Sequence, residues 1–128
     1  MADNKIPDDV RRFILNNIPS IPYLEAILLL RNEPARRWSD VQVAERLYVS
    51  ETTVTAILSD LVTVHIASAS ADIPPSYQFS PWSTSLGETI DQVAETYASH
   101  LVEITNLIHS KNSKKAQLFA DAFKWGED

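Results

Sequence analysis

The chain has no cysteine. That excludes disulfides, a thiolate zinc site and a cysteine nucleophile together. Glycine is almost as scarce: Gly87 and Gly126 are the only two among 128 residues. Phosphate-cradling loops need several glycines at short spacing, so the usual nucleotide-binding fingerprints are excluded as well. Positive charge is the third scarcity. Eleven Lys and Arg stand against 17 Asp and Glu, a formal net charge of −6. The longest apolar run, Ala26–Leu30, falls far short of the roughly 20 residues that span a bilayer. The first residues, Met1–Asp9, carry no apolar core of a secretion signal. A cytoplasmic protein with no membrane partner is expected.

Sites for chemistry are equally sparse. The three histidines are His65, His100 and His109. The last two are nine positions apart on a helical stretch and so fall on different faces. No His-x₃-His, His-Glu-x-x-His or carboxylate cluster has metal-ligand spacing, so neither metal nor cofactor is expected. Asp8-Asp9 suits the first turn of a helix, where the dipole favours negative charge, better than a catalytic dyad. No nucleophile sits in a glycine-bounded turn. The sequence predicts no catalytic residues and no enzyme.

What the chain does have is apolar periodicity. Apolar residues make up 45%, ordinary for a globular protein, and the length suffices for one domain with a helical appendage. Val10, Phe13, Ile14 and Ile18 predict a helix over Asp8–Asn17, ended by Ile18-Pro19. Ser20 caps a second helix, Ile21–Asn32, with Pro22 in its first turn and apolar residues nearly all round. Ser39-Asp-Val-Gln42 is a capping box opening a third helix that stops near Tyr48. Ser50 caps a fourth, with Val54, Ile57, Leu58 and Leu61 along one face. Val62–Ala69 and Tyr77–Ser80 then read as a β-hairpin around a Pro-containing loop, ended by Pro81.

The last third is helical. Ser85-Leu-Gly-Glu88 reads as a second capping box. Leu86, Ile90, Val93, Tyr97, Leu101, Ile104 and Ile108 follow at steps of 4, 3, 4, 4, 3 and 4. One continuous helix of that span would be about 35 Å long at about 1.5 Å rise per residue. A small core cannot cover such a stripe, so part of it is expected to form a homodimer seam; folding back on the chain's own helices is the alternative. Ser110–Lys115 is a polar break, and Ala116–Phe123 predicts a final helix, with Phe119, Phe123 and Trp125 available to an interface.

Helix, helix, tight turn, helix, hairpin is the order of the winged-helix family. Taking Asp40 as the first position of a helix-turn-helix, Val43 and Ala44 fall where an apolar and a small residue let two helices cross closely. Leu47, Val49, Val54 and Ile57 fill the remaining apolar places. Asp40–Asp60 therefore resembles the family motif, with one departure: Tyr48 stands where glycine is usual. The resemblance spans about residues 21–81. The long helix after the hairpin is similar to the dimerisation helix of small bacterial winged-helix transcriptional regulators. The implied fold is mainly α with a small β-hairpin wing, divided into a winged-helix domain (1–81) and a C-terminal helical dimerisation element (82–128).

The resemblance implies binding of double-stranded DNA by the fourth helix in the major groove. Its groove-facing residues would be Ser50, Glu51, Thr52, Thr55 and Ala56, with Arg36 and Arg37 as nearby cations. Hydroxyls can bond base edges or phosphates, and a glutamate can accept from cytosine N4. The same residues also read as a helix cap and a solvated face. Charge argues against DNA. Residues 62–81 contain no Lys or Arg, and residues 36–62 hold three bases against four acids. Arg11-Arg12, Arg36-Arg37 and Lys111/Lys114/Lys115 remain as basic clusters or as solubilising charge. Trp38 reads as a core aromatic or as the short first strand of the wing rather than a base-stacking platform. The leading expectation is a non-catalytic, regulator-like DNA-binding dimer. The alternative is a winged-helix adaptor that binds a protein partner and never touches DNA. Charge favours the adaptor; motif fit, the extra helix and family habit favour the regulator.

Overall fold

The computed structural model describes residues 6–112. The expected final helix Ala116–Phe123, with Phe119, Phe123 and Trp125, and the basic pair Lys114/Lys115 lie outside the described residues. Six helices and a hairpin follow in order: α1 (Asp8–Asn17), α2 (Ile21–Asn32), α3 (Asp40–Leu47), α4 (Glu51–Thr63), β1 (Ala67–Ala69), β2 (Tyr77–Phe79), α5 (Thr84–Ser99) and α6, residues 101–112. No single helix among them is long and apolar enough to cross a membrane.

The first three helices begin and end, and the fourth begins, where sequence chemistry says they should. Ser20 Oγ accepts from the Tyr23 N–H at 3.3 Å, with Pro22 in the first turn of α2. The box at α3 is reciprocal: Ser39 Oγ accepts from Gln42 N–H at 3.1 Å, and Gln42 Oε1 accepts from Ser39 N–H at 3.0 Å. Ser50 Oγ accepts from Thr53 N–H at 3.2 Å and caps α4. These bonds satisfy amides that the helix itself cannot. α2 buries Tyr23, Leu24, Ala26, Ile27 and Leu30 and packs against α3, α4 and β2. It is the central strut, as its all-round apolar character predicts.

Three expectations need correction. Val62–Ala69 is not a strand throughout, because α4 continues through Val62 and Thr63. The helix ends only where His65 turns left-handed at φ 64° and Ile66 N–H bonds back to Leu61 O at 2.9 Å. The β-branched alternation suggested a strand, but burial of Leu58 and Leu61 keeps the segment helical. The hairpin is thus three residues a side, paired Ala67↔Phe79, Ser68↔Gln78 and Ala69↔Tyr77. Trp38 adds a one-residue third strand, exchanging backbone bonds of 2.8 and 2.7 Å with Tyr77.

The second correction is the cap of α5. Ser83, not Ser85, accepts from the N–H three residues on (Leu86, 3.1 Å), so the helix starts at Thr84. The third concerns the apolar stripe. The backbone breaks at His100 (φ −132°, ψ 47°), and α6 starts anew beyond it. His100 lies between two stripe positions, so the apolar spacing carries no trace of the bend. Ile90, Val93, Ile104 and Ile108 consequently fall inside the chain's own core with Val10 and Ile14 of α1. Leu86 and Tyr97 are half-buried against that core, and Leu101 points outward. The seven residues therefore do not form one outward seam. Lys111 Nζ and Asn112 Nδ2 of α6 donate to Ile18 O and Pro19 O, both at 3.1 Å, and anchor α6 to the α1–α2 turn.

Candidate nucleic-acid interface

The α3–α4 pair is built as two crossing helices require. α3 packs on α4, and Val43 and Ala44 of the one and Val54, Ile57 and Leu58 of the other are buried. The turn between them passes through Tyr48, whose backbone is left-handed (φ 58°, ψ 44°). This is why the family pattern has glycine there: L side chains are strained in this region, by about 1–2 kcal/mol. Tyr48 keeps the conformation without being glycine, and Val49 N–H closes the turn onto Ala44 O at 3.1 Å. The Tyr48 ring itself is 95% exposed.

The outer face of α4 carries the residues singled out from the sequence, and the structure gives them unequal freedom. Ser50 is engaged in the cap and donates to Thr53 Oγ1 at 2.9 Å. Thr55 Oγ1 donates to Asp40 Oδ2 at 2.9 Å. Glu51, Thr52 and Ala56 are exposed, and neither the Glu51 nor the Thr52 side chain has a hydrogen-bond partner among the described residues. Further along, Tyr23 of α2 donates to Asp60 of α4. Burial and the Asp60 carboxylate push the Tyr23 hydroxyl well above its ordinary range. Tyr77 is raised too, by burial first and then by Asp40.

The two arginines before α3 part company. Arg36 lays its guanidinium over the Trp38 ring, 3.6 Å from the centroid, and pairs with Glu33 at 3.5 Å. Arg46 of α3 approaches the same ring at 5.3 Å. Trp38 is fully buried beneath them, a core aromatic and a strand residue at once. Arg37 instead faces the wing. With Ser68, Ala69, Ser70, Ser76 and Gln78 it lines a cavity of about 110 Å³ that opens to solvent. The hairpin has no cation of its own, and Arg37 supplies one from outside it. The signal for this lay in Trp38: once Trp38 is a wing strand, its neighbour stands at the wing's edge.

Two crossing helices joined by a left-handed turn, followed by a hairpin to which a segment before α3 adds a third strand, decide the architecture. The fold is a winged helix. No family model and no curated protein matches the chain. Among solved structures it is similar to a transcriptional regulator from Thermotoga maritima (15% identity, 93% of this chain and 83% of that one, TM-score 0.53). It is also similar to the multiple antibiotic-resistance repressor, MarR, from Listeria monocytogenes (15% identity, 94% and 83%, TM-score 0.51).

A second concavity of the winged helix, about 380 Å³, lies between α2, the end of α3 and α5. Glu25, Leu28, Arg46, Tyr48 and Tyr97 are among its walls. Tyr97 donates to Glu25 Oε2 at 3.5 Å, and its hydroxyl is pushed upward by burial and then by that carboxylate. Arg31 and Asp91 pair at 3.0 Å and also tie α2 to α5.

Proposed function

We propose that the chain is a transcription-regulator-like protein that binds duplex DNA as a homodimer and acts by binding, without catalysis. The observation that carries this reading is the outer face of α4. Glu51, Thr52 and Ala56 are exposed and take no part in the core. A major groove admits a helix that presents such a face. Thr52 offers a hydroxyl and a methyl group, and Glu51 an acceptor for cytosine N4. Ser50 and Thr55 stand beside them, each already bonded within the protein. Arg37, and Arg36 once released from Glu33, are the nearest candidates for phosphate. The two similar structures are named as a transcriptional regulator and a repressor, and a cytoplasmic place of action goes with the same reading.

Self-association is assigned to the C-terminal element, residues 82–128. Leu101 and Val102, 52% and 64% exposed at the start of α6, are its outward apolar residues in the described part. A two-fold dimer would present two α4 helices to paired half-sites about one helical turn apart. Selection from a random-sequence duplex pool tests the reading. Enrichment of an inverted repeat with that spacing is expected. Failure to retain any duplex at low salt would instead point to the adaptor alternative.

A further inference from the structure

We propose that the cavity between Arg37 and the wing is a binding site for a single phosphate group. The DNA backbone supplies that group where the duplex-binding reading holds, and to that extent the inference rests on that reading. The cavity measures about 110 Å³. It opens to solvent on one side and is large enough to admit a group the size of one tetrahedral phosphate.

Its walls are donors. Arg37 brings a forked guanidinium that matches phosphate oxygens, and it has no carboxylate partner among the described residues. Ser70 Oγ accepts from Ser76 N–H at 2.9 Å and from Asp72 N–H at 3.4 Å, and lies 3.2 Å from the Ser76 hydroxyl. In the contact between the Ser70 and Ser76 hydroxyls either can be the donor, so one hydroxyl hydrogen of the pair is left for a ligand. The Ser68 hydroxyl has no hydrogen-bond partner among the described residues. In a chain of net charge −6, no Asp or Glu among the described residues lines this cavity.

The backbone that carries these donors is tied to the wing. The paired backbone bonds between Trp38 and Tyr77 set Arg37 beside β2. Gln78 Nε2 donates to Pro34 O at 3.1 Å and ties the segment before α3 to the wing. Those contacts fix the backbone at Arg37 beside the hairpin, so only the side chain remains to be ordered on binding.

The test uses the full chain, wild type and R37A, with two readouts. Arg37 is exposed, so R37A is expected to fold normally. In duplex binding, R37A should weaken affinity about tenfold, equally on selected and unrelated sequences, and reduce the salt slope by about one. In a titration with inorganic phosphate, the amide signals of Ser68, Ser70 and Ser76 should shift in the wild type and stay still in R37A. Phosphate shifts with an unchanged slope would keep the site and identify free phosphate as its ligand. If the wild type binds no duplex, the proposed function fails; R37A-sensitive phosphate shifts would still uphold the site. No phosphate shifts, together with no change of slope or affinity in R37A, would overturn it.

Discussion

The Thr55 hydroxyl donates to the Asp40 carboxylate across 2.9 Å, joining the outer face of α4 to the first turn of α3. The bond occupies one of the hydroxyls that sequence reasoning gave to DNA. It also holds a negative charge beside the face proposed to meet phosphate. D40N keeps an acceptor for Thr55 and removes the charge. Duplex affinity should rise about threefold or more at low salt, and the gain should shrink as salt screens it. Loss of a favourable first-turn charge should cost α3 about 0.3–1 kcal/mol in thermal unfolding. An affinity unchanged at low salt would mean that Asp40 does not face the duplex.

Tyr48 gives a prediction about stability. Its backbone is left-handed and its ring is almost wholly in solvent, so little packing is lost on truncation. Y48G should raise stability by about 0.5–1 kcal/mol, the relief of strain exceeding the extra freedom of glycine in the unfolded chain. Denaturant titration measures it. A loss of stability would mean that the ring makes contacts worth more than the strain.

Alkaline pH should weaken the fold, and Tyr23 should be a main cause. Its pKa is raised above the ordinary 10.0 by burial and by Asp60. The sign follows from linkage: below pH 10 both folded and unfolded chains keep the proton, and the stability is fully present. Above it the unfolded chain ionises first, and stability is lost as pH rises towards the folded value. Tyr77 and Tyr97 are shifted in the same direction. Y23F should lower stability at neutral pH by about 1 kcal/mol through the lost hydrogen bond, and should make the alkaline decline shallower, not abolish it. Thermal melts from pH 8 to 11 check both effects.

Much of the fold was legible because local chemistry and packing agree. Ser20, Ser39 and Ser50 are followed at the right distance by amides needing acceptors, and each apolar stripe that follows does reach the core. S39A should accordingly cost about 1 kcal/mol. The mistakes arose where two signals conflicted. Val62 and Thr63 look like strand residues, but their neighbours Leu58 and Leu61 were already committed to a helix face. The break at His100 is invisible because it interrupts the backbone between Tyr97 and Leu101 without disturbing their spacing. At the candidate interface, the residues of α4 could be named from the motif. The bond between Thr55 and Asp40 could not, nor could the cavity that Arg37 and Ser70 both line, since each depends on positions apart in sequence.

The break at His100 also changes what a dimer can use. With Ile90, Val93, Ile104 and Ile108 enclosed, Leu101 and Val102 are the outward apolar pair on α6. Light scattering at micromolar concentration should give a dimer for the wild type. L101E/V102E should give a monomer with unchanged helix content. A wild-type monomer would remove self-association from the proposal.

The most direct test of the central claim is fluorescence anisotropy with a labelled duplex, titrated in salt from low to physiological ionic strength. If the α4 face and Arg37 meet DNA, binding should appear at low salt and weaken linearly in log–log form, with a slope of about −0.9 per phosphate neutralised. Absence of binding at the lowest salt, by a chain shown to be folded, would contradict it.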